Sequence, residues 1–188
     1  NSDPLNLDLH DEYKKILQNK IIFFDGWHIR CNKTLNKHKA TITNFFQPVE
    51  SHNKNIRELL RPIKSKFDLL LGIHMRRTDY KYVYPMLYYS FEQYAEFLNK
   101  IVNYFKNKKI AFLLCSDEKI EKKYFSNHPC FYATDHFIDD MYALSKCDFI
   151  FGVPSTYSLW ASFFGNVPIF SINECDFTIN ENDFFICN

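Results

Sequence analysis

Residues 68–80 read DLLLGIHMRRTDY, an apolar run that ends in a cluster of charged side chains. The apolar part is short and continuous, which predicts a buried strand over residues 69–74. Four polar residues stand at its carboxyl end: His74, Arg76, Arg77 and Asp79. Open α/β sheets bind their ligands at this end of their strands, and two adjacent guanidinium groups can neutralise an anion such as a diphosphate. The simpler alternative is an Arg–Asp pair in a surface loop.

Strands and helices alternate along the chain from Phe67 onward, which is typical of parallel βαβ units. The predicted strands are residues 69–74, 110–115, 130–133, 148–152 and 167–170. The predicted helices are residues 91–107, a segment preceded by Asp139-Asp140, and residues 155–164. We therefore expect an α/β fold with a Rossmann-like parallel sheet in residues 66–188. For residues 1–65 we expect a small, mostly helical portion with a short strand at residues 21–24. A polar linker is predicted from residue 47 to residue 66, with a helix at residues 53–60 that Pro62 closes.

Polar residues also stand at the ends of the other predicted strands. Asp117 follows the second strand, Asp140 lies beyond the third, and Ser155 and Thr156 follow the fourth. Because the carboxyl ends of parallel strands meet at one edge, we expect these residues to share a cleft with the first cluster. Free N–H groups at the start of a helix bind phosphate, although an ordinary N-cap needs the same hydroxyl residues. Asp140 could accept hydrogen bonds from a guanine base, or simply favour a helix N-terminus.

The composition excludes several classes of protein. The chain has 23 basic and 22 acidic residues, so it has no general positive charge that would favour nucleic-acid binding. It has only 4 glycines, and neither the dinucleotide-binding fingerprint nor the Walker motif occurs, which disfavours an NAD enzyme or a P-loop kinase. The cysteines form no CxxC pair and the histidines form no HxxxH set. We therefore expect no metal site and no cofactor.

Five segments resemble motifs of the α-1,2-fucosyltransferases, glycosyltransferase family 11. Residues 74–80 resemble HxRRxDY, and α-1,6- and protein O-fucosyltransferases share a related HxR motif. The other segments are Tyr88-Tyr89 (YY), residues 115–118 (FSDD), residues 140–147 (DxxxMSxC) and residues 155–161 (STFSWWA). The motifs occur in the family's order over residues 69–165. Departures from the family's patterns include Thr78 in place of Gly, Glu118 in place of Asp, Pro154 in place of Asn and Leu159 in place of Trp.

The resemblance implies a GT-B fold in which residues 66–188 bind the donor sugar nucleotide. It implies an enzyme similar to galactoside 2-α-L-fucosyltransferase, which transfers fucose from GDP-fucose to a glycan hydroxyl with inversion and without a metal ion. Arg76 would stabilise the departing GDP as the catalytic residue. His74 and Asp140 would contact guanine or its ribose. Ser155 and Thr156 would hold phosphate oxygens.

The remaining donor-binding candidates are Arg77, Asp79 and Asp117, of which Asp79 would orient Arg76 or Arg77. The glycine-rich segment that opens the family's N-terminal domain is missing. Residues 1–65 are thus expected to be a remnant of the acceptor side in an incomplete chain. Two alternatives stay open, namely an inverting glycosyltransferase that uses another nucleotide sugar and a non-catalytic nucleotide- or glycan-binding module. We expect a cytoplasmic protein, peripheral at a membrane as a further option, or a Golgi luminal one if the source is eukaryotic.

Overall fold

The computed structural model describes residues 5–19, 21–23, 29–134 and 136–187. Contacts divide the chain into two compact units, one that ends at Gln47 and one that spans Pro48–Cys187. Among the described residues, no helix combines the length and the apolar character that crossing a membrane requires.

The first unit is mostly helical, as predicted. Its helices are α1 (His10–Leu17), α2 (Asn32–Lys37) and α3 (Lys39–Phe45). Two short strands, β1 (Leu5–Asn6) and β2 (Ile29–Arg30), pair in parallel. The strand predicted at residues 21–24 is wrong for residues 21–23, whose side chains are exposed instead of being buried in a sheet, and Phe24 lies outside the described residues.

Five parallel strands form the sheet of the second unit, in the order β5-β4-β3-β6-β7. They are β3 (Leu69–Met75), β4 (Ile110–Ser116), β5 (Cys130–Tyr132), β6 (Phe149–Gly152) and β7 (Ile169–Ser171). The chain runs from the central β3 outward to β5 and then returns to β6 on the other side of β3. The strand order therefore reverses between β3 and β6, and such a switch point opens a crevice at the carboxyl ends of the strands. The predicted Rossmann-like α/β fold is confirmed.

Helices cover both faces of this sheet. They are α4 (Glu50–Lys64), the single turn α5 (Tyr80–Val83), α6 (Phe91–Tyr104), α7 (Phe137–Leu144) and α8 (Thr156–Gly165). Among the described residues, 3₁₀ turns lie at Pro85–Leu87, Lys122–Phe125 and Glu181–Asp183.

Alternate residues of β3 face two separate cores. Leu71 and Met75 pack with α6 and with aromatic residues of the C-terminal segment, whereas Leu70 packs with α4, α7 and α8. Gly72 belongs to the second face, where a Cβ atom would lie only 2.6 Å from Leu144 Cδ2. Helix α7 therefore lies directly against the sheet. The unbroken apolar run of β3 reflects burial on both faces.

Helix α6 begins where the sequence predicts. Ser90 Oγ accepts a hydrogen bond from Gln93 N at 3.2 Å, and Gln93 Oε1 accepts one from Ser90 N at 2.8 Å. This reciprocal capping box satisfies two N–H groups that the helix itself cannot. The helix ends at Tyr104, earlier than the predicted residue 107, because residues 105–107 form a turn.

Helix α4 is longer than the helix predicted at residues 53–60, and it fills most of the segment predicted as a polar linker. Ile56, Leu60 and Ile63 recur at helical spacing and are buried, so one face of an otherwise polar helix packs on the second core. Pro62 does not end the helix at Leu60, because burial of Ile63 favours one more turn, to Lys64. The unit that holds the sheet accordingly starts at Pro48, earlier than the predicted boundary at residue 66.

Candidate active site

A cleft of about 550 Å³ opens at the carboxyl edge of the sheet, beside the switch point. Four of the sequence-predicted site residues line it: His74, Arg76, Asp117 and Asp140. Four others lie near it without lining it: Arg77, Asp79, Ser155 and Thr156. The fold thus brings half of the predicted set to one cavity and places the rest in the loops around it.

Arg76 lies at the edge of the cleft, with 35% of its side chain exposed. Its Nε lies 2.9 Å from Asp79 Oδ1, and its Nη1 lies 2.9 Å from Asp117 Oδ2. Within the described part of the chain, Arg76 Nη2 has no protein partner. Two carboxylates therefore hold the guanidinium from two sides and leave one nitrogen for an anion in the cleft.

Asp117 ties the loop after β3 to the end of β4. Its Oδ1 accepts a hydrogen bond from Arg77 N at 2.8 Å, and its Oδ2 accepts one from Thr78 Oγ1 at 2.7 Å. The ion pair with Arg76 adds a third partner. A carboxylate with this many partners is held in one orientation, so its main effect is to fix the loop that carries Arg76.

Arg77 points away from the cleft. Its Nε donates to Glu118 Oε2 at 2.9 Å, its Nη2 donates to Tyr88 Oη at 2.8 Å, and its Nη1 donates to the carbonyl oxygen of Tyr89. The guanidinium carbon lies 4.1 Å from the centre of the Phe91 ring, and the residue is buried. Consecutive residues at the end of a strand point to opposite sides, so the two arginines do not face one ligand. Arg77 instead stabilises the loop before α6 through its bonds to Tyr88 and Tyr89.

His74 and Tyr157 form an aromatic wall of the cleft. Their rings stack with centroids 4.8 Å apart and an interplanar angle of 27°. His74 is buried, and its Nδ1 has no hydrogen-bond partner among the described residues. Burial lowers the pKa of His74 from 6.5 to about 4, with the nearby Asp117 opposing the shift and Arg76 adding to it. The imidazole is therefore neutral near pH 7 and can donate or accept a hydrogen bond.

Helix α7 begins at Phe137, before the start predicted after Asp140, so Asp140 lies within its first turn. Its Oδ1 accepts hydrogen bonds from Thr134 N at 2.8 Å and from Thr134 Oγ1 at 3.0 Å. The N-terminus of α7 favours its negative charge. Asp140 is thus an oriented carboxylate in the wall of the cleft.

Ser155 is the N-cap of α8, and its Oγ accepts a hydrogen bond from Tyr157 N at 3.3 Å. Thr156 is exposed at the first position of the helix. The carbonyl oxygen of Pro154 accepts a hydrogen bond from Tyr80 Oη at 2.5 Å, which ties the loop before α8 to α5. Because Tyr157 lines the cleft, the N-terminus of α8 lies at its border.

The predicted site residues did not include six residues that line the cleft: Cys115, Ser116, Glu118, Lys119, Phe137 and Tyr157. Lys119 is an exposed cation two positions beyond Asp117. Its closeness to Asp117 in the sequence is the feature that could have indicated its place in the cleft. Phe137 is 68% exposed, and its carbonyl oxygen accepts a hydrogen bond from Tyr157 Oη at 2.6 Å. The aromatic residues on either side of the predicted polar positions gave no signal, because core helices carry the same residue types.

The fold resembles those of solved fucosyltransferase structures. A crystal structure of NodZ α-1,6-fucosyltransferase soaked with GDP-fucose aligns with a TM-score of 0.54 and 15% sequence identity, over 87% of this chain and 59% of that one. A crystal structure of fucosyltransferase NodZ from Bradyrhizobium aligns with a TM-score of 0.56 and 16% identity, over 86% of this chain and 59% of that one. This chain therefore spans about three fifths of the length of these structures. At such identities the similarity shows a shared fold.

Comparison at the level of sequence gives the family. No curated protein sequence matches the chain significantly. The sequence model of glycosyl transferase family 11 matches residues 6–184, nearly the whole chain. The resemblance found in the motifs is thereby confirmed, and the chain belongs to glycosyl transferase family 11.

Proposed function

We propose that this protein transfers fucose from GDP-fucose to a hydroxyl group of a glycan, and that the unit Pro48–Cys187 binds the GDP-fucose. Family membership supports fucosyl transfer as the reaction class. The shared fold supports it further, because a NodZ fucosyltransferase structure with this fold was soaked with GDP-fucose. Inversion at the transferred carbon and an α-1,2 linkage are the finer parts of the proposal, and they rest on the motif at residues 74–80.

The geometry of Arg76 is the observation that carries the proposal. Breaking the bond between fucose and GDP leaves negative charge on the diphosphate. A guanidinium that two carboxylates already hold in position stabilises this charge without first having to reorganise. Its Nη2 supplies the N–H groups, and the N-terminus of α8 offers further donors at the border of the cleft. Because these groups can carry the charge, we propose that the transfer itself needs no metal ion.

Other residues that line the cleft suit a guanine base. The stacked rings of His74 and Tyr157 give a flat surface, and Asp140 provides an oriented carboxylate. Guanine offers two neighbouring N–H donors to a carboxylate, whereas uracil offers one N–H between two carbonyl groups. We therefore propose that Asp140 and His74 select guanine, with Arg76 on the diphosphate.

The acceptor side of the reaction is a separate part of the proposal. Residues 1–65 were predicted to belong to it, and we propose this role for the unit that ends at Gln47. The acceptor is a glycan hydroxyl, and galactosides are the first substrates to test.

Calorimetric titration with GDP, UDP and CMP tests the proposed nucleotide. We expect GDP to bind most tightly, and we expect Arg76→Ala to weaken its binding by about tenfold or more, which corresponds to about 1.4 kcal/mol. Arg57→Ala is the matched control, because Arg57 is an exposed arginine of α4 that pairs with Glu50. A preference for UDP, or GDP binding that Arg76→Ala leaves intact, would contradict the proposal.

A transfer assay with GDP-fucose and galactoside acceptors tests the reaction itself. Arg76→Ala should lower the rate of fucose transfer by about a hundredfold or more, because the positive charge is lost, while the Arg57→Ala protein keeps its activity. GDP binding without any transfer to a panel of glycans would favour a non-catalytic nucleotide-binding module instead.

A further inference from the structure

Two histidines and an aspartate meet at the start of α7, outside the lining of the cleft. His52 Nδ1, on α4, lies 2.6 Å from Asp139 Oδ1, and the rings of His52 and His136 lie 4.7 Å apart. One potential ligand atom from each of the three residues lies within 4.8 Å of the others. The proposed transfer reaction uses none of them. We propose that His52, His136 and Asp139 bind a divalent transition-metal ion of the Zn²⁺ type, which links α4 to α7.

The types of ligand atom select the class of metal ion. Two imidazole nitrogens and one carboxylate oxygen suit Zn²⁺, whereas Ca²⁺ and Mg²⁺ prefer oxygen ligands throughout. Bond lengths of about 2.0–2.1 Å in a tetrahedral site place ligand atoms about 3.4 Å apart. The 2.6 Å between His52 Nδ1 and Asp139 Oδ1 would have to widen to this spacing, and separations of up to 4.8 Å would have to shorten, which the exposed side chain of His136 permits. Water would complete the fourth position.

The surroundings hold the ligands as they do in other metal sites. Asn55 Nδ2 donates to Asp139 Oδ2 at 2.9 Å, which leaves Oδ1 directed at the histidine. The Asn55 amide is an outer partner of the kind that fixes the orientation of a metal ligand. His136 Nδ1 accepts a hydrogen bond from Ile138 N at 3.3 Å, and this bond has to break when His136 binds the ion, because a neutral imidazole has only one nitrogen without a proton. Asp139 is 2% exposed, so a carboxylate with three polar neighbours is already buried at this point.

Metal titration of the untagged protein, after treatment with a chelator, tests this proposal. Calorimetry with ZnCl₂ and the visible spectrum of added Co²⁺ should show one tightly bound ion per chain. We expect His52→Asn and His136→Asn each to weaken binding by about tenfold or more. His128→Asn is the matched control, because His128 bonds to Asn99 outside the cluster and its loss should leave the affinity unchanged.

Two results would overturn the metal site. Equal zinc affinity in the wild type and in both cluster variants would place the ion elsewhere, for example on the exposed thiol of Cys175. The absence of saturable one-to-one binding would leave only a hydrogen-bonded His–Asp pair. His136 is exposed, so its variant remains informative even if His52→Asn fails to fold. The readout needs neither GDP nor sugar transfer, so this proposal and the proposed function can fail independently.

Discussion

Asp117 Oδ2 lies 2.9 Å from Arg76 Nη1, and this ion pair joins the ends of the neighbouring strands β3 and β4. The same carboxylate accepts hydrogen bonds from Arg77 N and Thr78 Oγ1. One side chain thus holds both the guanidinium and the loop that carries it. A positive charge that is held in position before the ligand binds stabilises the transition state in which an anion departs.

Replacing Asp117 by asparagine should therefore harm stability and binding together. The amide keeps one oxygen acceptor but loses the charge and the second acceptor, so we expect a loss of about 1–3 kcal/mol in the free energy of unfolding. GDP affinity should fall by about tenfold because Arg76 is no longer held. Urea unfolding and calorimetry measure the two effects. Asp176→Asn, at an exposed carboxylate paired with Lys100, should change neither, and a wild-type-like Asp117→Asn protein would contradict this account.

The adjacent arginines should give opposite results when each is replaced by lysine. Arg77→Lys removes the planar set of donors that binds Glu118, Tyr88 and the Tyr89 carbonyl in a buried position, so it should lower stability by about 2–3 kcal/mol. Arg76→Lys should leave the urea midpoint near that of the wild type and weaken GDP binding. If both variants lost only GDP affinity, Arg77 would face the ligand after all.

Gly152→Ala should damage the site through the backbone. A Cβ atom at Gly152 would lie 2.7 Å from the carbonyl oxygen of His74, so β6 would have to move away from β3. We expect a stability loss of about 1–3 kcal/mol and weaker GDP binding, because His74 is displaced. Gly72→Ala is the contrast, since its Cβ would meet the flexible end of Leu144 on the face toward α7. It should lower stability in urea while sparing GDP affinity, and equal effects of both variants on GDP would be inconsistent with this picture.

Burial on both faces explains which parts of the fold were predictable from the sequence. Strand β3 is apolar throughout because cores lie on both of its sides, and α6 carries both a periodic face and the Ser90 cap. Helix α4 was predicted too short, because only Ile56, Leu60 and Ile63 are buried on it and because Pro62 resembles a stop signal. A proline near the end of a helix is tolerated when the residue after it is buried, and burial depends on tertiary contacts.

The candidate site was likewise predictable only in part from the sequence. His74, Arg76 and Asp117 line one cleft, as expected from the sequence, because they lie at or just beyond the carboxyl ends of the neighbouring strands β3 and β4. Whether a side chain faces the cleft is set by its partners, and Arg77 is held by Glu118 from a different loop. His52 lies 87 residues from Asp139, so no local spacing could have indicated their contact.

The buried imidazole of His74 should make stability depend on pH in a defined direction. Burial lowers its pKa from 6.5 to about 4, so between these values the unfolded chain binds a proton that the folded protein does not. The contribution of His74 to stability is therefore fully present above about pH 6.5 and is lost as the pH falls toward about 4.

His74→Phe isolates this effect, because phenylalanine keeps a flat ring against Tyr157 and does not titrate. All other groups titrate alike in the two proteins, so their contributions cancel in the difference between the free energies of unfolding. Between about pH 7.5 and about pH 5, the wild type should lose about 2 kcal/mol relative to the variant. Urea unfolding at several pH values measures this difference. A difference that stays constant with pH would mean that His74 is hydrated in the folded protein, and the neutral, base-binding role proposed for it would then lose its physical basis.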